Sequence, residues 1–336
     1  MSIRIVKAGV LDTVQDAGRH GYSHWGINPG GVMDSFAASV ANWLVGNQES
    51  TAVLEMHFPA PMLRFEKDAL IALCGADLSP AINDVPVSNW QPLLIKKDAV
   101  LSFRKPVWGA RCYLSLKGGF SIDPWLHSYS TNLVVHAGGW RGDKLQTEDA
   151  IPFEGNNLPV NALHASNTNF MRLPWKVKYE HIYDIDERIP FTSGPEWDQL
   201  SEQSRILMVK SAFEIGSSSD RMGYQLDGPE LFREKNVQMI SSGVTFGTMQ
   251  LLPGGKMIIL MADHQTTGGY PRLGFIAGTY LPRLAQSGIR SVLYFQLINL
   301  IEANQMMADR LRENQLLKKN CFENLNSFYA MHGYQL

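Results

Sequence analysis

Three stretches of the chain combine acids, amides, hydroxyls and glycines in patterns that suit chemistry on a small polar ligand. The longest runs Ser241-Ser-Gly-Val-Thr-Phe-Gly-Thr-Met-Gln250, then an apolar segment from Lys256 to Met261, then Ala262-Asp263-His264-Gln265-Thr266-Thr267-Gly268-Gly269-Tyr270-Pro271. After the apolar segment, which reads as a buried strand, the chain presents the carboxylate of Asp263, the amide of Gln265 and the hydroxyls of Thr266 and Thr267, and Gln250 before it is expected to join them. The exposed N–H groups of Gly268 and Gly269 lie beside them, next to Tyr270. Such a set can grip the edge of a small polar molecule. A capped structural loop is the competing reading, and His264 is assigned no role.

The second stretch is Ser217-Ser-Ser-Asp-Arg-Met-Gly-Tyr224 followed by Leu226-Asp-Gly-Pro229. Its Asp220 and Arg221 sit in a loop of small residues, where a guanidinium can clamp a carboxylate or a phosphate through two parallel N–H bonds. A plain surface turn needs no arginine. The third is Gln15-Asp16-Ala-Gly-Arg19-His-Gly-Tyr22, then Asn28-Pro-Gly-Gly-Val-Met-Asp34. Its glycines permit turns that bring Asp16 and Arg19 toward the N-terminus of a helix opening at Asp34, where an anion is favoured. The alternative is an Asp16–Arg19 ion pair with Asp34 as a cap.

Several chemistries are excluded. Gly254-Gly-Lys-Met257 lacks the first glycine and the hydroxyl of a phosphate loop, and no Gly-x-Gly-x-x-Gly follows a strand. No biotinyl-lysine motif occurs, so any biotin arrives on a separate carrier. His20 and His24 have helical spacing for a metal, but Gly18, Gly21 and Gly26 argue against a helix there, and no metal is assigned. A nucleophile elbow is missing, and the serines at 217–219 have no evident base.

The elements that must position these residues belong to a globular chain of 336 residues, with 45% hydrophobic and 18% charged residues, which suggests about two domains. With 30 Lys plus Arg against 32 Asp plus Glu, the net charge of -2 offers no surplus for nucleic acid or an anionic membrane. No apolar run approaches the ~18 residues of a membrane span, and the three cysteines suggest no disulfide framework. The N-terminus reads as a strand rather than a signal peptide, so the cytoplasm is the expected location.

Short β-rich runs predict strands at 3–6, 52–58, 70–73, 93–95, 100–103 and 112–116, with one helix over 35–45 capped by Asp34. Long loops are predicted from Gly118 to about Asn169. A second β-rich region carries predicted strands at 206–209, 237–240, 257–261 and 292–297, a short helix over 281–286, and a polar helix beyond Asn299. The division expected is an N-terminal β lobe with long loops (1–185), a C-terminal β lobe (186–300) and a helical extension (301–336).

Read together, Asp220-Arg-Met-Gly-Tyr224, Gly247-Thr-Met-Gln250 and Met261-Ala-Asp-His-Gln-Thr-Thr-Gly-Gly-Tyr-Pro271 resemble the allophanate hydrolase subunit 2 family, also called the KipA family or the family of 5-oxoprolinase C subunits. Gln15-Asp-x-Gly-Arg-x-Gly21, Gly31-x-Met-Asp34, Leu44-Val-Gly-Asn47 and Leu54-Glu55 agree, so the likeness spans about residues 3–298. It implies a mainly β, two-lobed, cyclophilin-like β-barrel carboxyltransferase fold with few helices. It also implies a subunit 1/B (KipI-like) partner that shares the site, and a LamB/YcsF-like protein as a third component. Three features depart from the family pattern, one of them Ser287-Gly-Ile289 in place of the usual Pro-Gly-Asp turn. His127-Ser-Tyr129-Ser-Thr131 stands where the family carries Gly-Ser-Arg-Ser-Thr, and Tyr280 stands where it carries an acid.

The leading functional expectation is a subunit of an ATP-dependent 5-oxoprolinase, converting 5-oxo-L-proline, ATP and water to L-glutamate, ADP and phosphate. Asp263 and Arg221 are its expected catalytic residues. ATP, as Mg-ATP, is expected at a composite site through Arg221, the Gly268–Gly269 backbone and partner residues. The expected substrate contacts are Gln250, Gln265, Thr266, Thr267, Gly268, Gly269, Tyr270, Asp220, Asp16, Arg19 and Asp34. One alternative is a biotin-dependent carboxyltransferase subunit of the urea type. The other is a non-catalytic, KipA-like regulatory binding protein.

Overall fold

The computed structural model describes residues 2–155, 157–164, 168–183, 188–234 and 239–335. The chain forms two compact units. The first comprises 2–19, 34–180 and 314–335, and the second 20–33 and 181–313.

Two six-stranded antiparallel sheets build the first unit. One runs in the order Ala150–Pro152, Ser2–Lys7, Met62–Phe65, Val100–Phe103, Pro80–Ile82, Val85–Pro86. The other runs Phe170–Arg172, Pro92–Ile95, Ala69–Asp77, Trp108–Leu116, Val53–His57, Thr13–Gln15. Alternation along Ala69–Asp77 shows how both faces of a strand become buried. Ala69, Ile71 and Leu73 enter the core with Ile3, Leu54 and Leu114, while Leu70, Ala72 and Cys74 turn to the opposite face and are also buried. The Ser35–Leu44 helix packs against this strand and against Trp108–Leu116. Asp34 caps the helix as expected, its Oδ1 accepting from the Ala37 N–H at 2.9 Å, a contact worth about 1 kcal/mol.

The second unit is a closed barrel of seven strands: Arg188–Ser193, Arg272–Ile276, Thr248–Leu251, Met257–Leu260, Gly223–Asp227, Phe213–Ile215 and Val292–Leu297. A parallel pairing of Arg188–Phe191 with Tyr294–Leu297 closes it. Phe191, Phe213, Phe295, Met249, Ile259 and Leu226 fill the interior. A two-stranded ribbon, Ser242–Gly243 with Thr267–Gly268, lies outside the barrel ladder.

Most predicted elements are present, and the Leu281–Gln286 helix has the expected bounds. The strand expected at 206–209 is instead part of a helix, Glu202–Lys210. Ser201 Oγ caps it by accepting from Ser204 N, and its two buried residues, Ser204 and Met208, are four apart, so one helical face outweighs the β propensity of Ile206-Leu-Met-Val209. The strand expected at 237–240 falls partly outside the described residues. Leu300–Met331 is one long helix, opened by reciprocal bonds in which Asn299 Oδ1 accepts from Glu302 N and Glu302 Oε2 accepts from Asn299 N. Among the described residues no helix is long and apolar enough to cross a membrane.

Candidate functional site

Three neighbouring barrel strands generate the site by alternation. Met249 and Leu251, Met257 and Ile259, and Tyr224 and Leu226 face the core, which sends Gln250, Ile258, Leu260, Gly223 and Gln225 to the outer face. On that face lies a cleft of about 460 Å³ whose wall includes these residues with Ser241, Gln265, Thr267, Gly268, Gly269 and Tyr270. The Ser242–Gly243/Thr267–Gly268 ribbon brings its far side across. Glycine at 268 leaves room for the Gln250 amide, since a Cβ there would stand 2.6 Å from Gln250 Nε2 and push that flexible end aside. The Gln250 amide, 4% exposed, donates to the Tyr270 carbonyl at 3.2 Å.

Seven expected site residues therefore share one cleft: Asp220, Gln250, Gln265, Thr267, Gly268, Gly269 and Tyr270. Asp220 is exposed, and its Oδ1 accepts from Met222 N at 2.7 Å and Gly223 N at 3.2 Å, which closes the turn into the Gly223 strand. Ser218, Ser241 and Gln225 add polar groups that the motif reading did not single out. Gln225 was recoverable by counting two from Gly223.

Arg221, Asp263 and Thr266 are not in the cleft wall. Arg221 Nε and Nη2 donate to Asp263 Oδ2 and Oδ1 at 2.7 and 3.1 Å, and Nη2 also donates to the Gly31 carbonyl at 2.6 Å. Asp263 N donates back to the Arg221 carbonyl at 2.8 Å. With side chains only 5% and 13% exposed, the two form a buried, bidentate pair joining the Asp220 turn to the loop that supplies Gln265. Thr266 offers its carbonyl to Val244 N at 3.2 Å, holding the ribbon. His264 is buried, and its Nδ1 donates to the Gln265 carbonyl at 2.6 Å in the tautomer that this contact assigns. Burial holds its ring below the usual histidine range, against the pull of Gln265 and Asp263, so it is neutral near pH 7.

A larger groove, about 870 Å³, shares Leu252, Gly269 and Tyr270 with the cleft and is lined by Phe232, Arg233, Glu234 and Gly254–Gly255. It brings fewer of the candidate residues together than the smaller cleft does.

Asp16, Arg19 and Asp34 belong to the first unit. Asp16 gathers the loop that departs from the family pattern. Its Oδ1 accepts from Ser128 Oγ at 2.7 Å, Ser130 Oγ at 2.6 Å and Gly18 N at 2.8 Å, while Oδ2 accepts from Tyr129 N at 2.6 Å. Arg19 donates to the Ser130 carbonyl and lies 4.7 Å over the Trp125 ring. Leu126 and His127, both at positive φ, form the tip of this loop, so a strained turn is held by buried polar contacts. Asp34, besides its cap, donates its own N–H to Tyr113 Oη at 2.9 Å, and Tyr113 Oη donates to Glu55 Oε2 at 2.9 Å. Burial, with Glu55 and Asp34 close by, pushes the Tyr113 phenol far above its usual range, so it remains a donor. Among the described residues no group of three or more His, Cys, Asp or Glu is arranged for a metal ion.

Comparison with known proteins agrees with this architecture. Residues 25–297 match the model of the carboxyltransferase domain, subdomain A and B. The chain is 33% identical over 310 residues to the C subunit of 5-oxoprolinase from Escherichia coli, covering 92% of this chain and 96% of that one. It is 30% identical over 306 residues to the C subunit of 5-oxoprolinase from Haemophilus influenzae, covering 89% and 94%. The crystal structure of the K. lactis urea amidolyase superposes with a TM-score of 0.82 at 23% identity, covering 94% of this chain but only 20% of that much longer protein, a likeness of fold. With a seven-stranded barrel, few helices and these relatives along most of its length, the chain belongs to the carboxyltransferase domain, subdomain A and B family, alongside the 5-oxoprolinase C subunits.

Proposed function

We propose that this chain is a cytoplasmic subunit of an ATP-dependent 5-oxoprolinase, acting in a hetero-complex with a subunit 1/B (KipI-like) homologue and a LamB/YcsF-like protein. The observation that carries the reading is the 33% identity across 96% of a protein named as the C subunit of 5-oxoprolinase. Cleft chemistry supports it. A lactam edge offers one N–H and one C=O side by side, and a glutamine amide offers the complementary acceptor and donor in one plane. Gln225, Gln250 and Gln265 line the cleft with the hydroxyl of Thr267 and the backbone of Gly268–Gly269, over an apolar floor of Ile258 and Leu260. In this reading those residues bind and orient the lactam, and the ribbon keeps bulk water from its outer edge. The Arg221–Asp263 pair acts as a positioning unit that fixes the Gln265 loop and the Asp220 turn.

ATP fits this cleft poorly. A triphosphate calls for cations, whereas among the described residues the wall contains no Lys, Arg or His and one carboxylate, Asp220. No step through ATP is assigned to these residues.

A second reading, a biotin-dependent carboxyltransferase subunit of the urea type, draws on the 0.82 superposition with urea amidolyase and on the same neutral donors, which suit a ureido ring. Co-expression of the chain with its two partner proteins, followed by an ATP-hydrolysis assay with and without 5-oxoproline, separates the two. ATP consumption that requires 5-oxoproline and yields equimolar glutamate is expected. ATP consumption indifferent to 5-oxoproline, together with a biotinylated chain in the complex, contradicts the proposal.

A further inference from the structure

We infer that the cleft of this chain selects the uncharged edge of a cyclic amide or cyclic urea, and that the carboxylate of 5-oxoproline and the phosphates of ATP are bound by residues outside it. The inference rests on the reading of the cleft as the lactam site, and it adds a substrate class that this chain recognises unaided.

The first support is the charge of the wall. Ser218, Gln225, Ser241, Gln250, Gln265 and Thr267 are neutral, and among the described residues the only charged group is Asp220. Asp220 is exposed, and its bonds to Met222 N and Gly223 N fix its carboxylate at the cleft. A ligand carboxylate seated here meets a like charge.

The second support is the state of the neighbouring cations. Arg221, next in sequence to Asp220, is held bidentately by Asp263. Arg272 grips Glu196, its Nε and Nη2 each donating at 3.1 Å. Lys256 is bonded to Asp227 at 2.8 Å. Arg233 lines the adjoining groove, with Glu234 beside it. Arg221, Lys256 and Arg272 are each paired with an acid, Arg233 Nη1 donates to Gln199 Oε1 at 3.3 Å, and none of these four cations lies in the cleft wall. A lactam or ureido ring, by contrast, needs only the donors and acceptors that the wall supplies.

The test uses the purified full-length chain labelled with 13C at the methionine methyls, because Met222 lines the cleft and its signal is assigned through Met222→Leu. The probes are 2-pyrrolidinone and 2-imidazolidinone as neutral rings, and 5-oxo-L-proline as the same lactam carrying a carboxylate. With like charges roughly 6 Å apart and an effective dielectric of about 40 to 80 at an exposed carboxylate, the neutral lactam should bind about 3- to 10-fold more tightly than 5-oxoproline. Asp220→Asn, which keeps the oxygen that accepts from Met222 N, should bring the two within about 2-fold.

Tighter binding of 5-oxoproline, an order insensitive to Asp220→Asn, or a Met222 methyl unmoved by the neutral rings overturns the inference. Turnover by the assembled complex is scored separately. A complex that opens 5-oxoproline while the isolated chain prefers the carboxylate overturns this inference and leaves the proposed function standing. A chain that prefers neutral rings within a complex showing no 5-oxoproline-dependent ATP hydrolysis does the reverse.

Discussion

Asp263→Asn separates a catalytic carboxylate from a structural one. In the folded chain both Asp263 oxygens accept from Arg221, and the same guanidinium reaches the Gly31 carbonyl. The pair is buried, so removing one charge strands the other in a low-dielectric setting, a loss of about 3 to 5 kcal/mol when a buried pair is broken from one side. Asp263 keeps some exposure and asparagine retains one acceptor, so the low end, about 3 kcal/mol, is expected for Asp263→Asn. Arg221→Met should cost a similar amount. The Arg221→Met/Asp263→Leu double variant should recover most of the loss, because replacing both members by apolar groups removes the stranded charge. Urea unfolding of the parent and the three variants, with Asp263→Leu added to complete the cycle, gives the coupling, provided the slope is unchanged. Hydrogen exchange across residues 20–33 should quicken in Arg221→Met, where the Gly31 carbonyl loses its donor. An Asp263→Asn chain destabilised by less than about 1 kcal/mol that has nonetheless lost turnover would refute the positioning role and make Asp263 a reacting group.

Two further perturbations probe the first unit. Burial pushes Asp12 up from 3.8 to about 7, against the lowering pull of the Gly9 and His57 N–H groups and of Lys144. Below about pH 4 both folded and unfolded states hold the proton; from there to about 7 the unfolded chain ionises first, so stability falls as pH rises, by about 4 kcal/mol for roughly three units. Asp12→Asn should therefore match the parent near pH 4 and exceed it near pH 8 in urea midpoint; parallel profiles contradict this. Asp16→Ala removes the acceptor shared by Ser128, Tyr129, Ser130 and Gly18, and should cost about 3 to 5 kcal/mol while opening residues 125–142 to limited proteolysis. An intact protease pattern would mean that Arg19 alone holds the loop.

β-rich runs bounded by turn residues made strands of both units readable in the sequence. Val100–Phe103 and Val292–Leu297 have the predicted bounds, because β-branched and apolar residues end there at turn residues. The Asp34 cap was equally legible, since a short acid before an apolar 3.6-period run has few other uses. Ile206–Val209 was not, because a Ser201 cap and the burial of Met208 are tertiary facts that a four-residue propensity window lacks. For the site, the motifs gathered the right loops but did not show which side chains meet. Thr267, Gly268 and Gln250 converge because a ribbon crosses the barrel's outer face, whereas Arg221 and Asp263 bind each other outside the cleft wall. Asp16 and Arg19 read as an ion pair from their spacing, yet Asp16 spends its oxygens on a loop more than a hundred residues away.

The central claim, that the ribbon-covered cleft on the barrel's outer face holds the lactam, is tested most directly by Gly268→Ala in the assembled complex. The new methyl would lie 2.6 Å from Gln250 Nε2, so the flexible amide must leave the Tyr270 carbonyl and its place in the cleft. Loss of one ligand hydrogen bond predicts a KM for 5-oxoproline raised about 10-fold, with the unfolding free energy in urea within about 1 kcal/mol of the parent. A KM unchanged in a variant whose crystal structure shows the Gln250 amide displaced would contradict the account.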